Sequence, residues 1–152
     1  MFAIANVEVY GERVETQSKR ILIVDDFAAW RRFVNTLLTV TPEWQVHGEA
    51  ASGVEAIARA QELQPDLVLL DINLPDINGL EVARQLQVLI PNAKIVFLTT
   101  EPSSHLVNAA LSAGALGYLL KSQLVDELLS ALESVFSGNR FISKGIMFQD
   151  PI

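Results

Sequence analysis

Three short stretches carry apolar residues without interruption: Ile21-Leu22-Ile23-Val24, Leu67-Val68-Leu69-Leu70 and Ile95-Val96-Phe97-Leu98. A strand with one wet face alternates apolar and polar residues, so an unbroken run predicts burial on both faces, as in a parallel sheet. Two weaker segments, 45–49 and 116–120, complete a set of five strands. Helical spacing fills the intervals. Trp30, Val34, Leu37 and Leu38 share one face, and Val54, Ile57 and Ala58 form a second stripe. Leu80, Ala83, Leu86 and Ile90 form a third, and Val107, Ala110, Leu111 and Gly114 a fourth. Val125, Leu128, Leu129, Leu132 and Val135 form the fifth.

Start and stop signals agree with this division. Ser52 with Glu55 and Asn78 with Glu81 have capping-box spacing, and Ser103 and Ser122 read as N-caps. Pro42, Pro65, Pro91 and Pro102 mark boundaries. Five strands, each followed by a helix, therefore occupy residues 20–137. Strict alternation predicts an α/β fold: a doubly wound, five-stranded parallel sheet with helices on both faces.

The ends carry weaker patterns. In residues 1–19, Ile4, Val7 and Val9 alternate among Glu8, Glu12, Arg13 and Glu15. That fits a short added strand or a flexible arm, and the arm is the preferred reading. Residues 138–152 open with the stop signal Gly138-Asn139-Arg140 and read as a C-terminal tail with no output domain.

Composition narrows the class. The chain has 152 residues, of which 50% are hydrophobic, enough to close one full core. Eleven Lys and Arg against 18 Asp and Glu give a formal charge of -7, which opposes binding to nucleic acid through a basic surface. The absence of Cys excludes a disulfide or Cys-zinc scaffold. The longest stretch free of Asp, Glu, Lys, Arg and His, 106–120, is shorter than the ~20 residues a membrane span needs, and no signal-peptide pattern is present. A cytoplasmic, acidic, single-domain globule is the expectation.

In an open parallel sheet, ligands bind beyond the carboxyl ends of the strands, where strand order reverses. The residues there are Asp25 and Asp26 after the first run and Asp71 after the second. Thr99 and Thr100 follow the third, and Lys121 the last strand. Three carboxylates at close range call for a cation, and hard oxygen ligands favour Mg2+. A phosphoryl group would then meet Mg2+ on one side and the Lys121 ammonium and Thr99 hydroxyl on the others. One of the carboxylates is positioned to attack phosphorus and form an acyl phosphate.

The sequence closely resembles the receiver domain of bacterial two-component response regulators. The resemblance rests on Ile-Leu-Ile-Val-Asp-Asp at 21–26 and Asp-Leu-Val-Leu-Leu-Asp-Ile-Asn-Leu-Pro-Asp-Ile-Asn-Gly-Leu-Glu at 66–81. Leu-Thr-Thr-Glu at 98–101 and Gly-Tyr-Leu-Leu-Lys at 117–121 complete it. It covers residues 20–137 and implies a flavodoxin-like fold of strand order 2-1-3-4-5. It makes Asp71 the phosphoacceptor. Asp25 and Asp26 become the acidic pair that positions Mg2+, with Asp71 and the backbone carbonyl of Asn73 as further ligands. Lys121 pairs with the phosphoryl oxygens, and Thr99 and Tyr118 act as the switch residues. Asn73 and Glu101 hold positions that modulate hydrolysis of the acyl phosphate. The implied partners are a sensor histidine kinase or phosphotransfer protein, and a downstream target protein or a second copy of the chain. The segment 25–32 is similar to chemotaxis-type receivers; 117–122 and 138–140 are similar to receivers that precede a helix-turn-helix domain.

Two positions depart from the family pattern. Ser122 stands where many receivers have Pro, and Thr100 is larger than the Ala or Gly common there. Other polar and aromatic residues have simpler roles. Asp66 and Asp76 read as turn residues, and Arg31 and Arg32 as a solvated helix face. Trp30, Phe33 and Trp44 read as core or groove fillers. A flavin carrier on the same strand order is opposed by Asp25-Asp26, which repel a flavin phosphate. Aspartate-nucleophile phosphatases place two Asp two residues apart after the first strand, whereas Asp25 and Asp26 are adjacent. The regulatory part of a helix-turn-helix transcription factor is the main alternative.

Overall fold

A computed structural model describes residues 4–9 and 12–146, with side chains from Ser18 onward. The chain begins with an antiparallel pair, β1 (Ile4–Val9) and β2 (Glu12–Gln17), which forms a two-stranded sheet of its own. Of the two sequence readings of this region, an added strand or a flexible arm, the backbone over 4–9 and 12–17 has the extended, paired form. Val7 and Val14 face each other in the register, and β-branched residues at alternate positions favour extended pairing.

The main sheet then alternates with helices. Its elements are β3 (Lys19–Val24), α1 (Ala28–Thr39), β4 (Trp44–Ala50), α2 (Gly53–Leu63), β5 (Leu67–Leu70) and α3 (Gly79–Leu89). They continue with β6 (Lys94–Thr99), α4 (Ser104–Ser112), β7 (Gly117–Leu120), a 3-10 turn (Lys121–Gln123), α5 (Leu124–Phe136) and β8 (Phe141–Ile142). The strand order is β4-β3-β5-β6-β7-β8 and every pairing is parallel. Counted within this sheet, its first five strands, β3 to β7, thus run 2-1-3-4-5. A short sixth strand, drawn from the segment read as a tail, adds to the β7 edge through Gly117–Phe141 and Tyr118–Ile142.

Unbroken apolar runs produce two cores, because successive side chains in a strand point to opposite faces. Ile21, Ile23, Leu67, Leu69, Val96 and Leu98 pack against α1 and α5. Leu22, Val24, Val68, Leu70, Ile95 and Phe97 pack against α2, α3 and α4. The β4 pattern is weak because β4 is an edge strand with a register shift: Ile21 pairs with Val46 but Leu22 with Gly48.

Helix faces differ from the sequence reading on α2 and α5, and Gly114, read as part of the fourth stripe, lies beyond α4 and is exposed. Val54 and Ala58 are exposed, and α2 instead buries Ala56 and Ala60, small residues that let the helix lie close to the sheet. On α5, Val125 and Leu129 face outward while Leu124, Leu128, Ala131, Leu132 and Val135 are buried. Ser52, Asn78 and Ser103 cap their helices through the backbone N–H groups of Glu55, Leu80 and Leu106. Ser122 is not a cap: it lies within the 3-10 turn, which shifts the start of α5 to Leu124.

β8 is held by side chains as well as by the ladder. Ser143 Oγ accepts from Leu120 N at 2.9 Å and donates to Glu127 Oε1 at 2.7 Å, and Lys144 N donates to Glu127 Oε2 at 3.1 Å. Both Ser143 and Glu127 are buried, so each supplies the other's polar partner. Among the described residues, no helix is long and apolar enough to cross a membrane.

Candidate functional site

Strand order reverses between β3 and β5, and their carboxyl ends lie side by side: Asp71 N donates to Val24 O at 3.0 Å. Asp25 follows β3 and is buried, with Oδ1 accepting from Phe27 N at 2.9 Å. Asp26 is exposed beside it. Asp71 follows β5, is also buried, and accepts from Asn73 N at 3.2 Å. Gly79, the first residue of α3, backs directly onto Asp71; a Cβ there would overlap the Asp71 carbonyl oxygen.

Lys121, at the end of β7, completes the cluster. Its Nζ lies 2.6 Å from Asp25 Oδ2 and 3.3 Å from Asp71 Oδ2, with all three side chains buried. The Asp71 contact is a hydrogen bond. The Asp25 contact is ionic but misaligned, which leaves the buried Asp25 Oδ2 without a hydrogen bond. Burial pushes the Asp71 carboxyl above the usual carboxylate range; the Lys121 charge pulls it down and the Asp25 charge pushes it up.

Oxygen atoms of Asp25, Asp26 and Asp71 lie within 4.8 Å of one another. All are hard carboxylate donors, one of them is an orphaned buried oxygen, and a single ammonium offsets three acids. Such a set fits a small divalent cation of the Mg2+ type, which takes one or two carboxylates and keeps several waters.

Thr99 is fully buried at the end of β6, with Oγ1 accepting from Glu101 N at 3.4 Å. Tyr118 is also fully buried, and its hydroxyl donates to Glu101 O at 2.6 Å. Burial, with the Glu101 and Asp71 charges, pushes this phenol up to about 12. Both side chains therefore grip the same residue, Glu101. Asn73, Thr100 and Glu101 are exposed around the cluster.

Some assignments change in three dimensions. Arg31 does not line a solvated face: Nη1 donates to Asp25 O at 2.6 Å and Nε to Glu49 Oε1 at 3.0 Å, bracing the acidic loop. Trp30 is more than a filler, for Lys121 Nζ sits 4.9 Å from its ring centroid. No sequence signal linked Trp30 to Lys121 or Arg31 to the Asp25 carbonyl. The two Asp residues read as structural are so. Asp66 Oδ2 accepts from Arg20 N at 2.7 Å. Asp76 accepts from Gly53 N and Val54 N, and these bonds, that from Val54 most, hold its carboxyl below the usual range.

A doubly wound sheet with three acids and one buried lysine at its switch point defines a receiver-type signalling domain. The family described as the response regulator receiver domain matches residues 21–133, and the chain belongs to that family. It is 38% identical over 130 residues to the response regulator GacA of Pseudomonas viridiflava, covering 86% of this chain and 61% of that protein. It is 34% identical over 132 residues to the transcriptional regulatory protein DegU of Brevibacillus brevis, covering 87% and 56%. Among solved structures, a LuxR-family two-component response regulator from Aurantimonas sp. superposes with a TM-score of 0.81 at 34% identity, covering 85% of this chain and 92% of that one. The chain spans about three-fifths of the length of these curated relatives.

Proposed function

We propose that the domain is an aspartyl-phosphate switch in which Asp71 accepts a phosphoryl group from a sensor histidine kinase or phosphotransfer protein. The observation that carries this reading is the Lys121 ammonium 3.3 Å from Asp71 Oδ2, inside a cluster with Asp25 and Asp26. Asp25, Asp26, Asp71 and the backbone carbonyl of Asn73 would hold Mg2+. When bound, the ion neutralises charge between the attacking carboxylate and the phosphoryl oxygens.

An Asp71 carboxylate oxygen bonds to phosphorus as the phosphorus–nitrogen bond of a phosphohistidine breaks. The imidazole leaves with the electron pair and takes up a proton. Lys121 opposes the effect of burial on Asp71, keeping more of it ionised and nucleophilic. The same ammonium then faces the charge of the new phosphoryl group. The Thr99 hydroxyl turns toward that group and releases Glu101 N, while Tyr118 holds the other end of the same residue. A change at Thr99 is thereby passed to the start of α4 and to β7.

The altered surface, around Leu106 and the exposed face of α5, binds a target protein or a second copy of the chain, with Val107 fully buried beneath it. A net charge of -7 opposes direct contact with nucleic acid by this chain. The domain is a cytoplasmic switch reset after each modification, not an enzyme that turns over substrate. Exposed Asn73 and Glu101 set the pace of hydrolysis.

Incubation with acetyl phosphate and Mg2+ should add one phosphate by intact-mass spectrometry. Omission of Mg2+ should suppress it, and Asp71→Asn should abolish it. Equal modification of the Asp71→Asn chain would refute the assignment. A second reading is favoured by the name of the transcriptional regulatory relative and by the chain's span of 56% of it: the domain is the regulatory part of a transcription factor. Phosphorylation-dependent DNA binding in a longer protein containing this domain, and not in these 152 residues, is its test.

A further inference from the structure

We infer that Trp30 is a positioning residue for Lys121, an ammonium-holding aromatic face built into the site. This inference rests on the phosphoryl-acceptor reading for its kinetic consequence, but the contact itself does not. Lys121 Nζ lies 4.9 Å from the Trp30 ring centroid, while its other close partners are Asp25 Oδ2 at 2.6 Å and Asp71 Oδ2 at 3.3 Å. An ammonium has three N–H bonds, and two carboxylates do not surround it. The indole face closes a further side with negative quadrupole density and no competing charge. Phe33 stacks on Trp30 at 5.7 Å with an interplanar angle of 20°, which fixes the ring's orientation.

The position matters because Asp25 Oδ2 is also a candidate cation ligand. A divalent cation drawing on Asp25 weakens the hold of that carboxylate on Lys121. A lysine tethered by carboxylates alone would then lose one of two anchors on a long, flexible stem. The Trp30 face is unaffected by cation binding, so the ammonium stays beside Asp71, where the incoming phosphoryl oxygens need it. α1 therefore contributes to both halves of the site: its N-terminal side presents the acidic pair and its first turn holds the cation that opposes it.

The test has two arms on the full chain. The first uses no phosphodonor. Trp30 and Trp44 are the two tryptophans, so Lys121→Met should change the emission of the otherwise native chain but not that of a Trp30→Phe chain. An equal change in both backgrounds, or none in either, rejects the contact. The second arm measures the maximal rate of phosphorylation by acetyl phosphate at saturating Mg2+. Trp30→Leu should lower it about two- to tenfold, and Trp30→Phe, which keeps an aromatic face, should retain most of it. A Trp30→Leu rate equal to the native one, or a Trp30→Phe loss as large as that of Trp30→Leu with both thermal transitions intact, overturns the positioning role. Should Asp71→Asn be modified like the native chain, the acceptor reading fails, and the emission arm decides Trp30 alone.

Discussion

The Tyr118 hydroxyl, on β7, donates a 2.6 Å hydrogen bond to the backbone carbonyl of Glu101, 17 residues earlier in the chain. That bond crosses from the last long strand to the loop that follows β6, so the buried ring and the exposed loop are one mechanical unit. Tyr118→Phe keeps the ring's packing but leaves the Glu101 carbonyl without this donor. The expected loss is about 0.5–1.5 kcal/mol by denaturant unfolding. The phenol titrates near 12 in the folded chain against 10.0 for a free one. The folded state thus retains the proton more tightly, and this contribution is intact below pH 10 and lost as pH rises toward 12. The Phe variant should lack that alkaline decline.

Asp71 follows the same sign in a lower pH window. Its carboxyl is raised chiefly by burial, so ionising it costs the folded state more than the unfolded chain. The stability it contributes is complete at acid pH, below the usual value of 3.8, and is lost as pH rises through the higher folded value. Without divalent cations, Asp71→Asn should melt at a higher temperature than the native chain at pH 7. The two curves should converge as the pH is lowered toward the acid range, by calorimetry.

Gly79→Ala should damage both fold and site. The added Cβ meets the Asp71 carbonyl oxygen and the Ile72 Cα, neither of which is a flexible side-chain tip. Overpacking of this kind costs roughly 1–3 kcal/mol. Chemical denaturation should report that loss, and phosphorylation by acetyl phosphate should fall with it even at temperatures where the variant is folded.

Ser143→Ala removes the bridge between β8, β7 and α5. It leaves Leu120 N and the buried Glu127 carboxylate each short of a partner, an effect worth about 1–3 kcal/mol. Amide exchange at Leu120 should accelerate more than at Leu69 in the sheet centre. Equal protection at both sites would show that the ladder alone holds the strand.

Decay of the phosphorylated form should slow when Glu101 is replaced by Tyr or Asn73 by Arg. Both native residues are exposed, and a bulky or basic side chain in their place would exclude water from the acyl phosphate or hold its oxygens. The measurement is loss of the phosphorylated mass after the donor is removed. Unchanged decay in both variants would remove these positions from control of hydrolysis.

Much of this was legible in the chain itself. Unbroken runs such as Ile21 to Val24 required a sheet covered on both faces, because no other arrangement hides every side chain of a strand. Asp25 and Asp71 each follow such a run directly and Lys121 follows the weaker last strand, so their convergence on one sheet edge followed from local order alone. β8 escaped notice because two residues, Phe141 and Ile142, set no period, and only the open edge of β7 gives them a partner. Val54 and Val125 were misread for a related reason. Helical spacing finds an apolar stripe but does not say which side faces the sheet, and α2 turns Ala56 and Ala60 inward instead.

What the sequence determined by itself was the alternation of elements and the set of charged groups at the strand ends, since periodicity and strand termini are properties of neighbouring residues. What the tertiary structure decided was who meets whom across long loops. Trp30 reaches Lys121, Arg31 braces the Asp25 carbonyl, Tyr118 binds Glu101 and Ser143 joins Leu120 to Glu127. Each of these depends on the side-by-side placement of strands and the rotation of helices on them. Those are set by packing of the whole core, and no local pattern encodes them.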